Sequence, residues 1–147
     1  MGGIKGVVAT PLRIIPGESG NVMHALKSTD LTYKGFGEAY FSTVLSGEKK
    51  GWKKHKEMVL NIVVVSGAIR FVLFDGRPES ESYQRIEEFE LSLVNYQRLT
   101  VPPGVWMAFT GLTDNTNLLL NIASIPHDPL EAENLPIRNS LIPYQGF

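Results

Sequence analysis

The chain is expected to fold as an all-β sandwich or barrel. Short runs rich in β-branched and aromatic residues recur along it, turn signals separate them at short spacing, and no stretch carries a convincing long helical pattern. Its 147 residues, 43% hydrophobic and 20% charged, suit one soluble domain large enough for a real core.

Taken in order, residues 1–35 read as an irregular arm, with short strands at Ile14-Ile15 and from Val22 to Lys27. Glu38 to Val44 alternates and is aromatic and β-branched, which predicts a strand. Gly47 to Gly67 (GEKKGWKKHKEMVLNIVVVSG) is the stretch around which the chain is organised. Read as one strand through His55 to Val65, it puts Lys53, His55, Glu57, Val59 and Asn61 on one face and Lys54, Lys56, Met58 and Leu60 on the other. A cation, an imidazole, a carboxylate and an amide in register with valines make a pocket wall.

Ser66-Gly67 signals a hairpin into Ile69–Asp75. A polar loop follows, then a long strand from Tyr83 to Leu93, with Phe89, Leu91 and Leu93 inward. Arg98–Val101, Val105–Thr110 and Asn117–Ser124 complete the strands, and Pro102-Pro103-Gly104 breaks the first two apart. Leu130 to Leu135 allows one helical turn in a proline-rich tail, 126–147, expected to wrap a barrel of about 36–125. Met58 to Val65 is apolar on both faces, so its second face must also be covered, and a partner subunit in a homodimer is the expected cover.

Composition narrows the function classes. A formal net charge of -1 gives no basic field to attract nucleic acid. The absence of cysteine excludes disulfides and thiolate zinc sites and gives no sign of an oxidising compartment. No apolar run is long enough for a membrane-spanning helix, and the start, MGGIKGVVATPL, lacks an uninterrupted apolar signal core. The chain is therefore expected in the cytoplasm, with neither nucleic acid nor membrane as partner.

The punctuation resembles the cupin family, whose fold is a double-stranded β-helix, a small jelly roll. Gly47, Lys53-x-His55, Leu60 and Gly67 keep the spacing of its first motif; Tyr96, Pro102-x-Gly104, Met107 and Gly111 keep that of the second. At the four metal-ligand positions of that family this chain has Lys53, His55, Leu60 and Met107. An ammonium, an alkyl group and a weak thioether are poor ligands for a hard or borderline metal, so neither metal nor other cofactor is expected. Among metal-free cupins the chain is similar to enzymes acting on nucleotide-activated 4-keto-6-deoxy sugars. The Trp-Lys-Lys-His run ending at His55 matches the dTDP-4-dehydrorhamnose 3,5-epimerases only at the histidine. Lys53-Lys54-His55-Lys56, Val101–Met107 and Leu118–Ser124 are similar to segments of the dTDP-sugar 3,4-ketoisomerases, while Gly20 to Glu38 suggests the epimerase group.

The resemblance implies a base, an enolate stabiliser and an acid next to a C4 ketone, in surface polysaccharide synthesis. Histidine suits the base because its ordinary pKa lies near neutrality. His55 is read as that base or as a buried structural histidine. Lys53, about 7 Å away at strand spacing, is read as the enolate stabiliser or as a solvated rim lysine. Glu57 would orient His55 or pair with a lysine, and Asn61 would share their face. Lys49, Lys50, Lys53, Lys54 and Lys56 form a cluster able to meet a pyrophosphate or simply a solvated face, with Arg70 and Arg98 as alternative phosphate contacts.

The epimerases' late-strand tyrosine corresponds to a strand offering Asn121, which cannot act as an acid; Tyr40 and Tyr144 are candidates by residue type alone. Asp128 is a possible stand-in for the carboxylate that pairs with the base. Trp106 would stack on a base or sugar, or fill a jelly-roll corner. A non-catalytic sugar-nucleotide-binding cupin is the alternative function.

Overall fold

The computed structural model describes residues 3–147. Twelve strands follow in chain order: β1 (Val8–Pro11), β2 (Ile14–Ile15), β3 (Val22–Met23), β4 (Glu38–Val44), β5 (Lys49–His55) and β6 (Leu60–Ser66). Then come β7 (Ala68–Asp75), β8 (Ile86–Ser92), β9 (Gln97–Val101), β10 (Val105–Gly111), β11 (Asn117–Ala123), a 3-10 turn (Pro129–Glu131) and β12 (Ala132–Asn134). Two five-stranded antiparallel sheets, ordered β1-β9-β6-β11-β4 and β12-β5-β10-β7-β8, face each other, with β2-β3 as a separate hairpin. This is the all-β jelly roll of the cupin double-stranded β-helix.

The alternation of each strand sorts its residues between two apolar layers. Ile62, Val64, Ile69, Phe71, Leu73, Leu91, Leu99 and Val101 close the space between the sheets. Each such side chain withdrawn from water contributes about 2 kcal/mol. The opposite phase of the second sheet, Trp52, Val72, Phe74, Trp106 and Ala108, is covered from outside by the tail, whose Leu135, Ile137, Ile142, Tyr144 and Phe147 pack there. The tail is pinned by Trp52 Nε1 donating to the Ile137 carbonyl at 3.1 Å.

Several expectations need correction. The run from Gly47 to Gly67 is two strands, β5 and β6, in different sheets, because the chain crosses between layers at residues 56–59. The second face of β6 is covered by the chain's own amino-terminal arm: Asn61 Nδ2 donates to the Thr32 carbonyl at 3.0 Å, and neighbouring Arg98 Nη1 donates to the Ala25 carbonyl at 2.7 Å. That arm is also less irregular than expected, since Val8–Pro11 pairs with β9. The strand expected from Tyr83 begins at Ile86, and Leu93 lies beyond it, exposed. The expected helical turn is shorter, ending at Glu131 before β12.

Candidate active site

A cavity of about 460 Å³ opens between the sheets. One wall comes from Tyr40 and Ser42 of β4, Leu60 and Ile62 of β6, and Leu119 and Asn121 of β11. The facing wall comes from Lys50, Gly51, Lys53 and His55 of β5, Met107 and Phe109 of β10, and Asn134 of β12. An apolar surface with a few polar groups is the usual make-up of a small-molecule site.

The four positions that keep cupin metal-ligand spacing, Lys53, His55, Leu60 and Met107, all line this cavity. Only His55 among them is a good metal donor, and no group of three or more His, Asp or Glu able to hold an ion occurs among the described residues. The donor set does not fit a metal.

His55 closes β5, where its carbonyl accepts the Gly104 N–H at 2.8 Å, so the two motif segments meet. Its side chain is 12% exposed, and its Nδ1 lies 2.6 Å from Glu131 Oε1. Pairing of β12 with β5 sets Ala132 opposite His55, which delivers Glu131 to the imidazole. The other carboxylate oxygen, Oε2, accepts the N–H groups of Glu57 at 2.7 Å and Met58 at 2.8 Å. Burial pushes the Glu131 carboxyl up, but the Glu57 N–H, the His55 ring and the Met58 N–H together outweigh it and hold the group below the ordinary carboxylate range. The ionised carboxylate accepts an Nδ1 proton, which fixes the tautomer and leaves Nε2 as the basic nitrogen.

Lys53 shares the β5 face with His55 and has no hydrogen-bond or ion-pair partner among the described residues. Lys50 also reaches the cavity, but its ammonium is held by the Thr43 carbonyl at 2.7 Å and Ser42 Oγ at 3.3 Å. On the facing wall, Asn121 Nδ2 donates to the Tyr40 hydroxyl at 2.9 Å. Gly51 forms part of the β5 wall with a φ of +122°, and a Cβ there would lie 2.6 Å from Ala108 Cα. Only glycine satisfies that close approach.

The cavity thus gathers His55, Lys53, Tyr40 and Asn121, with Lys50 at its wall. The remaining sequence candidates lie elsewhere. Asn61 points to the opposite face of β6, where Thr100 Oγ1 donates to it at 2.6 Å, because the crossing at 56–59 resets the alternation. Glu57 is exposed and meets Glu131 only through its backbone N–H, so Glu131 orients the imidazole instead. Lys56 is exposed on the same crossing. Lys54 faces away from the cavity, pairing with Glu133 at 3.3 Å and sitting 5.0 Å over the Trp106 ring. Trp106 packs outside the second sheet because its neighbour Met107 points in.

Arg70 lies outward, 3.7 Å from Glu88. Arg98 is 2% exposed under the amino-terminal arm and pairs with Asp30 at 3.3 Å. Tyr144 lies on the tail, donating to Glu88 Oε1 at 3.0 Å. Asp128 does not pair with the base: its Oδ1 accepts the Leu130 N–H and caps the 3-10 turn. The signal for Glu131 was present in Asp128-Pro129, an N-cap followed by a first-turn proline, which commits the aspartate to capping and leaves the glutamate free.

Comparisons with known proteins bear on the fold and the family. A solved dTDP sugar isomerase from Desulfovibrio desulfuricans G20 is 37% identical, with 97% of this chain and 91% of that chain covered at a TM-score of 0.93. ChmJ, a 3'-monoepimerase from Streptomyces bikiniensis solved in complex with dTDP-quinovose, shares the fold at a TM-score of 0.84 and 18% identity, over 91% of this chain and 71% of that one. The probable low-salt glycan biosynthesis epimerase Agl13 of Haloferax volcanii is 25% identical over 91 residues, 61% of this chain. The match spans 58% of that relative's length. The model of the dTDP-4-dehydrorhamnose 3,5-epimerase family matches residues 3–139, nearly the whole chain, and the chain belongs to that family.

Proposed function

We propose that the protein is a metal-independent epimerase or ketoisomerase acting on a nucleotide-activated 4-keto-6-deoxy sugar, in surface polysaccharide biosynthesis. The observation that carries this reading is the His55–Glu131 pair at 2.6 Å in a cavity also lined by Lys53, which is exposed and has no ion-pair partner among the described residues. Hydrogen on carbon next to the ketone is acidic because its electron pair delocalises onto the carbonyl oxygen. His55 Nε2 removes that proton, Glu131 compensates the imidazolium that forms, and Lys53 stabilises the enolate oxygen.

The family name and the relatives that bind or act on dTDP sugars support a dTDP-linked substrate. The exposed Phe36 and Phe41 beside and on edge strand β4 support a second copy of the chain as partner in a homodimer. No helix among the described residues is long and apolar enough to cross a membrane.

The test is hydrogen exchange. Incubated in deuterated water with a dTDP-linked 4-keto-6-deoxyhexose, the protein should place deuterium at C3 or C5, and His55→Asn should abolish this while keeping the fold. Binding without exchange would leave a non-catalytic sugar-nucleotide-binding cupin, and exchange by His55→Asn at the parent rate would refute the base.

A further inference from the structure

The base accounts for half of the chemistry: a proton must also return to carbon. We propose that Tyr40 is the acid that returns it, and that Asn121 is the residue that positions its phenol. This rests on the proposed epimerase or ketoisomerase reading and narrows it toward inversion.

Tyr40 is on β4 of the first sheet and His55 on β5 of the second, and both line the one cavity from its two walls. β4 pairs with β11 in a register that sets Tyr40 directly opposite Asn121. Asn121 is 3% exposed, and its Oδ1 has no hydrogen-bond partner among the described residues, so the geometry commits its amide to Tyr40 alone. Its Nδ2 donates to the Tyr40 oxygen at 2.9 Å, occupying an acceptor site and leaving the phenol proton to be given elsewhere. The same N–H lies where negative charge gathers on the oxygen as the proton departs. Tyr40 is 45% exposed, so water can reach the phenol and reload it after each turnover. The other tyrosine candidate for the acid is far less apt, since Tyr144 packs on the outer layer with Trp52 and donates to Glu88.

The step balances as follows. His55 Nε2 takes the α-proton, and the C–H electron pair moves into the ketone to form an enolate beside Lys53. The enolate collapses, its carbon takes the Tyr40 phenol proton from the wall facing His55, and the carbonyl re-forms. Bulk water removes the proton from the imidazolium and returns one to the phenolate. Because donor and acceptor stand on different sheets, the carbon loses hydrogen on one face and gains it on the other, so its configuration inverts.

Tyr40→Phe separates the two halves of the reaction. With a dTDP-linked 4-keto-6-deoxyhexose in deuterated water, this variant should still wash deuterium into the recovered substrate at the parent rate. Formation of the inverted product should fall by about 100-fold or more, the usual scale of one acid-base group. Asn121→Ala should show the same split to a smaller degree, a partition that a purely structural role would not produce. Circular dichroism and the melting temperature verify the fold of both variants. Inversion by Tyr40→Phe at the parent rate overturns the assignment, and so does equal loss of exchange and inversion in a folded variant, which would make Tyr40 a binding residue. If the parent protein exchanges no hydrogen at all, the base reading fails and this proposal falls with it; the parent's exchange therefore tells the two failures apart.

Discussion

Replacing Glu131 by glutamine keeps the size of the side chain and changes only what its two ends can do. The carboxylate accepts three hydrogen bonds: Oε1 from His55 Nδ1, and Oε2 from the N–H groups of Glu57 and Met58. An amide has one accepting end. Two backbone donors outnumber one ring donor, so the glutamine oxygen should stay on Glu57 and Met58 and turn its NH₂ to His55. Nδ1 must then accept rather than donate, which moves the ring proton to Nε2, the nitrogen that needs to be free. A histidine held in the wrong tautomer by an Asp-to-Asn change in a serine-protease triad costs about 10⁴ in rate, and roughly 10³ to 10⁴ is expected here, or about 4 to 5.5 kcal/mol at 1.36 kcal/mol per tenfold.

Stability should fall less, by about 1–2 kcal/mol, because the crossing keeps its acceptor although all three charge-assisted bonds become neutral ones. For a chain of this length that lowers the melting temperature by about 3 °C per kcal/mol. The assay is deuterium wash-in followed by mass spectrometry, with calorimetry on the same sample. Wash-in within tenfold of the parent, in a folded variant, would show that the carboxylate does not set the tautomer and would refute the dyad.

Further outcomes follow from other parts of the molecule. Lys53→Met should slow exchange by about 10² to 10³ while leaving nucleotide affinity within a few fold in a titration of dTDP, because the ammonium acts on the enolate rather than the ground state; a pure loss of affinity would move Lys53 to the phosphate. Asp75 is fully buried and accepts from Arg77 Nε at 2.8 Å and from Ser80 Oγ at 2.7 Å. Burial raises its carboxyl, but Arg77, Ser82 and Ser80 more than reverse this and hold it well below the ordinary range. Its folded-state value being depressed, its contribution is complete above the unfolded carboxylate pKa and is lost as pH falls toward the folded value. Asp75→Asn should therefore cost about 3 kcal/mol at pH 7 and less in acid, so that urea midpoints of parent and variant converge as pH drops below about 4; a pH-independent gap would sink this linkage.

Much of the fold was legible because period-two alternation is a strong signal wherever a strand has a clear inside. It gave β4, β7, β10 and β11 nearly to the residue. It failed at residues 56–59, where Lys56 and Glu57 interrupt the apolar phase and the chain changes sheets. Carrying one phase across that point put Asn61 beside His55. Met107 and Trp106 illustrate the opposite case: adjacent strand residues cannot share a wall, so an inward motif position required an outward tryptophan. Only the capping signal at Asp128-Pro129 pointed toward Glu131, because its partnership with His55 bridges 76 residues and depends on the pairing of a three-residue strand.

Where Gly51 stands, two backbones touch with nothing between them, the gap being too short for any side chain to be grown there. The depth of the chamber on that side is consequently set by main-chain geometry and is closed to tuning by point substitution. Elsewhere the chamber is walled by side chains, among them Phe109, Met107 and Leu119, and there substitution can change its volume.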